Sequence, residues 1–186
     1  MSPRVVLVGL PGSGKTTVGK RLANALHTSA IDTDLMIGEK YGSACGDVFN
    51  QLGEAQFRRA EAEAVAEAME TDGIVSLGGG AVLTASNRAL LADQRVVYLH
   101  VTAQEGVRRT SGDSSRPLLN VSDPAARYEQ LLEERAQFYE EVANLLVHSD
   151  GKKPQRVVTD ILQYLEEDQN NPTAREPCIY NSPSPQ

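Results

Sequence analysis

The 186 residues, 40% of them hydrophobic and 23% charged, suffice for one well-buried core and are too few for two. A formal charge of −7 argues against a general binder of nucleic acid backbones, which needs a net basic face to displace counterions, so an anionic ligand would have to be held by a few placed Arg and Lys residues. Cys45 and Cys178 stand too far apart to suggest a disulfide framework or a Cys-based metal site, and the opening apolar run Val5-Val6-Leu7-Val8 is too short for an export signal or a membrane span, so a cytoplasmic chain is expected.

Short β-branched runs at 5–8, 29–31, 74–77, 96–101 and 145–148 alternate with helical patterns, the signature of an α/β protein with a parallel sheet covered on both faces. After the first run, Val18, Leu22, Ala25 and Leu26 recur at helical spacing and mark a crossover helix. Phe57, Ala60, Ala64, Val65 and Ala68 repeat the pattern before the third run. The polar stretch 111–123 reads as a mobile loop. Asp123-Pro124 then combines an N-cap with a Pro at the first helical position and opens a long helix carrying Tyr128, Leu131, Leu132, Phe138 and Val142 on one face. A last helix over about 155–165 buries Val158, Ile161, Leu162 and Leu165, and the acidic, Pro- and Ser-rich remainder is expected to stay disordered.

Directly after the first strand stands Gly9-Leu10-Pro11-Gly12-Ser13-Gly14-Lys15-Thr16, with the spacing G-x-x-x-x-G-K-[ST] and the helix that this motif requires. Glycines there let backbone N–H groups turn inward around phosphate oxygens, and the helix N-terminus adds positive potential. Lys15 supplies a charge to the β- and γ-phosphates, and the Thr16 hydroxyl is placed to ligate Mg²⁺. No Asn-Lys-x-Asp guanine motif accompanies the loop.

Asp32-Thr33-Asp34 closes the second strand at the sheet edge where ligands bind in this architecture. One carboxylate can assist a hydrated Mg²⁺ and the other can orient an acceptor hydroxyl; either could equally cap a helix. Arg58 and Arg59 read as a solvated basic pair or as ligand-binding cations, and Gly78-Gly79-Gly80 as a turn or as a close backbone approach to a ligand. Arg135 falls on the apolar stripe of its helix, where a guanidinium requires an anion, either a ligand carboxylate or an internal Glu. Arg116, in the polar loop, suits a lid closing over a triphosphate, although a solvated Arg is the default there. His27, His100 and His148 show no metal-ligand spacing, and no chemistry is assigned to them.

Taken together, these residues resemble those of the shikimate kinases, and the resemblance runs over residues 4–165. It is carried by residues 9–17, Asp32-Thr33-Asp34, Gly53-Glu54 with Phe57-Arg58, Leu77-Gly78-Gly79-Gly80, Arg116-Pro117-Leu118-Leu119, and Arg135 with Tyr139. It implies a nucleoside-monophosphate-kinase-like fold, a five-stranded parallel sheet flanked by helices. It also implies ATP- and Mg²⁺-dependent phosphorylation of the shikimate 3-hydroxyl in aromatic amino acid biosynthesis.

By the same resemblance Asp34, Arg58, Gly79, Gly80 and Arg135 would bind shikimate, and Lys15, Asp34 and Arg116 would be catalytic. Gly12, Ser13, Gly14, Lys15, Thr16, Thr17, Arg109, Arg116, Lys152 and Pro154 would bind ATP, with Arg109 and Pro154 flanking the adenine; Thr16 and Asp32 would serve the metal. The expected organisation is one kinase domain over 1–166, with a lid at about 111–123, and a disordered tail over 167–186. A monomer acting on shikimate and ATP, without nucleic acid or membrane partners, is expected. Two rivals remain at this point: a gluconate or nucleotide kinase of the same fold, and a non-catalytic nucleotide-binding module. Intact Lys15, Thr16, Asp32 and Asp34 argue against the second.

Overall fold

The computed structural model describes residues 1–111, 119 and 121–170. Strand β1 (Val5–Val8) is buried at every position, as a central parallel strand covered on both faces requires, and therefore reads as an unbroken apolar run. It leads through the glycine-rich loop into α1 (Lys15–Ala25). Then follow β2 (Ala30–Asp32), α2 (Thr33–Tyr41), α3 (Cys45–Leu52), α4 (Glu54–Ala68), β3 (Ile74–Ser76), a 3₁₀ turn (Ala81–Leu83), α5 (Ala85–Leu91), β4 (Val96–His100) and α6 (Ala103–Thr110). The order closes with α7 (Pro124–Val142), β5 (Leu145–His148) and α8 (Pro154–Asn170).

The five strands form one parallel sheet in the order β2-β3-β1-β4-β5. The chain fills one side of β1 with β2 and β3 and the other with β4 and β5, so the carboxyl edge beside β1 is where this topology gathers ligands. Alternate strand residues face opposite layers. Val6, Val75, Val96 and Tyr98 pack with Val65 of α4 and with Tyr128, Leu131 and Tyr139 of α7. Val5, Leu7, Val97 and Leu99 pack with Val18 and Leu22 of α1 and with Val158 and Ile161 of α8. A smaller cluster of Ile37, Val48, Phe57 and Ala64 joins α2, α3 and α4.

The long helix begins as its sequence indicates: Pro124 is its first residue, and the Asp123 carboxylate accepts from Ala126 N at 3.0 Å. The last helix departs from expectation. It continues through residues 166–170, which were assigned to the tail, because Asp168 Oδ2 receives Arg95 Nε at 2.6 Å and fastens the final turn to the start of β4. Helices α3, α5 and α6, of eight, seven and eight residues, were not anticipated; two turns are too few to display a clear period. Residues 112–118, 120 and 171–186 lie outside the described set, and with them most of the expected lid. Among the described residues no helix is long and apolar enough to cross a membrane.

Candidate active site

The loop after β1 is shaped by Gly12 and Gly14, at φ 83° and 100°, left-handed values that leave its N–H groups facing inward and start α1 at Lys15. Lys15 Nζ donates to the carbonyls of Gly9 (2.7 Å) and Leu10 (3.0 Å), across the mouth of the loop. From α7, the Tyr128 hydroxyl donates to Pro11 O at 2.7 Å and braces the loop from behind. Ser13 is fully buried within it, whereas Thr17, on the first turn of α1, is exposed.

Asp32 caps a helix and also meets the Thr16 hydroxyl. Its Oδ1 accepts from Asp34 N at 3.0 Å and caps α2, while its Oδ2 accepts from Thr16 Oγ1 at 2.7 Å. A solvent-reachable hydroxyl paired with a carboxylate, beside a phosphate-binding loop, is a hard-oxygen donor set of the kind Mg²⁺ takes when it keeps several waters.

A cavity of about 730 Å³ opens beside this loop; Thr16, Asp32, Asp34, Arg58, Glu61, Gly79, Gly80 and Arg135 all line it. Sequence placed Asp34, Arg58, Gly79, Gly80 and Arg135 on four separate elements or turns, and the fold brings all five to the lining of one cavity. Arg58 and Arg59 are not a pair: Arg59 is exposed, whereas the Arg58 side chain retains 17% exposure and meets Glu61 Oε2 at 2.6 Å. A Cβ at Gly80 would overlap the Arg58 guanidinium, so any larger residue there would push that side chain aside. Arg135 is 4% exposed and donates from Nη1 to Gly79 O at 3.0 Å, an oxygen that also accepts from the Tyr139 hydroxyl at 2.5 Å. Among the described residues no carboxylate lies within 4.0 Å of the Arg135 guanidinium, although its charge acts on the nearby buried carboxyl of Glu61, so an internal Glu still shares its field. The Nε atoms of Arg58 and Arg135 are buried with no hydrogen-bond partner among the described residues.

Further along the carboxyl edge, Arg109 donates to Gly12 O at 3.3 Å, to Ser149 Oγ at 3.1 Å and to Ser149 O at 2.8 Å, linking the phosphate loop to the connection between β5 and α8. Pro154 is the first residue of α8 in that connection. Lys152 points its ammonium at Asp160 of α8, 2.9 Å away. Arg116 lies outside the described residues.

The model of the shikimate kinase family matches residues 11–166. A shikimate kinase of Corynebacterium jeikeium is 64% identical over 90% of this chain and 90% of its own. The chain belongs to the shikimate kinase family. The shikimate kinase of Mycobacterium tuberculosis is 47% identical over 89% of this chain and 95% of its own. The solved shikimate kinase of Acinetobacter baumannii, in complex with shikimate, superposes with a TM-score of 0.86 at 33% identity, covering 91% of this chain and 95% of that one. A gluconokinase of Sinorhizobium meliloti shares the fold alone, at 18% identity and a TM-score of 0.58. As a member of this family the protein is an ATP-dependent kinase.

Two cavity residues of this kinase escaped the sequence reading. Glu61 is 1% exposed, and burial pushes its carboxyl up to about 6 against the pull of Arg58, with Asp34 adding to the rise. Its signal was present: it lies on the stripe of Phe57, Ala60 and Ala64, three residues after Arg58, where a carboxylate on an apolar face needs a cation. Cys45 carried no such signal. Its Sγ donates to Asp34 Oδ1 at 3.5 Å, and burial together with Asp34 pushes the thiol up, so it stays protonated and acts as a weak donor.

Proposed function

We propose that this kinase transfers the γ-phosphoryl group of ATP to the 3-hydroxyl of shikimate, giving shikimate 3-phosphate and ADP in aromatic amino acid biosynthesis. The observation that carries the reading is the pair of arginines, Arg58 and Arg135, which line one cavity together with Asp34. Two guanidiniums lining the same cavity as Asp34 suit a compact hydroxylated carboxylate, and the relative solved with shikimate supports the choice.

In this reading Arg58 and Arg135 bind the carboxylate and the backbone of Gly79 and Gly80 closes on the ring. Asp34 accepts the reacting hydroxyl and aims it at the phosphoryl group. Phosphoryl transfer passes through a loose transition state, so positioning and charge neutralisation outweigh early proton removal. Gly12, Ser13, Gly14, Thr16 and Thr17 enclose the phosphates with backbone N–H groups, and Lys15 exchanges the carbonyls of Gly9 and Leu10 for phosphate oxygens. Thr16 and Asp32 would hold Mg²⁺, which when bound offsets charge on the β- and γ-phosphates. Arg109 and Pro154 flank the adenine, Lys152 adds positive potential at that end, and Arg116 closes over the triphosphate. The protein works as a cytoplasmic monomer, with residues 1–166 as its catalytic domain.

ADP release with Mg-ATP, compared among shikimate, gluconate, nucleoside monophosphates and no acceptor, tests the proposal. Release that depends on shikimate is expected; release with gluconate alone would move the arginines to another role, and silence with every acceptor despite ATP binding would favour a non-catalytic module. Asp34→Asn should lower turnover at least 100-fold while ATP still binds, in line with the loss of a positioned carboxylate. Near-normal turnover by that variant would remove Asp34 from the chemistry.

A further inference from the structure

His100 and His148 are 48 residues apart in sequence, yet they are register partners on the parallel strands β4 and β5. Both are last in their strands, both are half-buried, and their Nδ1 atoms stand 3.1 Å apart. Two residues on, the Asp150 carboxylate lies within 4.8 Å of both ring nitrogens. Thr102 fixes that carboxylate from two directions, through its N at 2.9 Å and its Oγ1 at 2.7 Å, and both bonds fall on Oδ1.

We propose that His100, His148 and Asp150 form a binding site for a divalent transition-metal ion of the Zn²⁺ class, separate from the Mg²⁺ donors Thr16 and Asp32. Bonds of about 2.05 Å from zinc to imidazole, set at a tetrahedral angle, separate two nitrogens by roughly 3.3 Å, so the observed 3.1 Å needs only a small adjustment. Two imidazoles and one carboxylate are a donor set that suits zinc and its neighbours rather than Mg²⁺. The Thr102 bonds supply the outer-shell support that orients a ligating carboxylate, and Oδ2 accepts no hydrogen bond among the described residues. Glu140 of α7 adds negative potential at His100. The competing account of the 3.1 Å contact is a simple N–H···N hydrogen bond between neutral rings, which would bind no ion tightly.

The test is calorimetric titration of the untagged, nucleotide-free protein with ZnCl₂, alongside visible absorption on adding Co²⁺. One equivalent is expected to bind. His100→Gln and His148→Gln should each weaken it at least tenfold, Asp150→Asn should weaken it, and Asp32→Asn should leave it unchanged. Thermal unfolding of the His variants in chelator, matching the wild type, shows that they fold. Should they not fold, the Co²⁺ spectrum of the wild type decides, since intense low-symmetry bands without thiolate charge transfer indicate nitrogen and oxygen donors. Absence of stoichiometric binding, binding retained in both His variants, a thiolate band placing the ion on cysteine, or loss with Asp32→Asn would overturn the proposal.

Discussion

Arg135 donates to the Gly79 carbonyl, lies against the Tyr139 hydroxyl and lines the cavity beside Asp34 and Arg58. A lysine at this position would keep the charge but lose the planar fork that grips a carboxylate through two parallel bonds. Arg135→Lys should therefore raise the acceptor KM at least tenfold, about 1.4 kcal/mol of lost binding, with the ATP KM within twofold of wild type. Steady-state kinetics in both substrates checks this; an unaltered acceptor KM would remove Arg135 from the acceptor site.

Glu61 makes the opposite kind of contribution, because its burial is unfavourable to the charge that Arg58 needs. Its carboxyl rises from the usual 4.5 to about 6 in the folded protein, so between those values the folded state binds more protons than the unfolded one. Stability from this group is therefore greatest below the unfolded value and falls by roughly 2 kcal/mol as pH rises through the window. Denaturant unfolding at pH 4.5 and 7 should show that decline in the wild type and its loss in Glu61→Gln; an equal slope in both would locate the titration elsewhere. The same variant should raise the acceptor KM, since the 2.6 Å charge-assisted bond that fixes Arg58 becomes a neutral one.

At the scale of elements, Asp32 separates a structural role from a chemical one within a single side chain. Oδ1 caps α2 and Oδ2 holds Thr16. Asparagine caps a helix about as well as aspartate but carries no charge for a cation, whereas alanine does neither. Asp32→Asn should keep its midpoint of unfolding and lose at least tenfold in turnover at limiting Mg²⁺, while Asp32→Ala should lose similar activity and about 1 kcal/mol of stability. Thermal unfolding of the two variants distinguishes them, and equal destabilisation would mean the cap is not made.

How legible each element was follows from what it buries. The strands stood out because β1, β3 and β4 are covered on both faces and read as unbroken apolar runs; α4 and α7 stood out because each is long enough to repeat its stripe. Helix α8 was legible only as far as Leu165, because the turn beyond it is held by the ion pair of Asp168 with Arg95, two residues 73 positions apart. The phosphate loop, Asp34, Arg58 and Arg135 were visible as local patterns. Their convergence on one cavity was implied by the resemblance and not by spacing, because the packing of α4 and α7 on the sheet creates it, and the His100 and His148 contact was not visible because strand register creates it.

For the whole molecule, the two halves of the candidate site rest on different packing clusters. The phosphate loop is anchored by β1, α1 and the Tyr128 brace, whereas Asp34, Arg58 and Glu61 are carried by the cluster that joins α2, α3 and α4. Ligands that touch both halves add a tie to units already joined through the core cluster of Val8, Leu10 and Val65. Ligand present at 100 times its Kd stabilises the folded state by about 2.7 kcal/mol, which in a chain of this size raises Tm by roughly 5 to 11 °C. Thermal unfolding with saturating Mg-ADP and shikimate should show a rise of that order. In Arg135→Lys the shikimate increment should fall to about half or less at the same concentration while the nucleotide increment remains, because that side chain lines the cavity of Asp34 and Arg58 and makes no bond to the phosphate loop among the described residues. If both increments fell together in that variant, the two halves would be coupled through Arg135 rather than bridged by the ligands, and its effect on KM would have to be read as a change in the whole site.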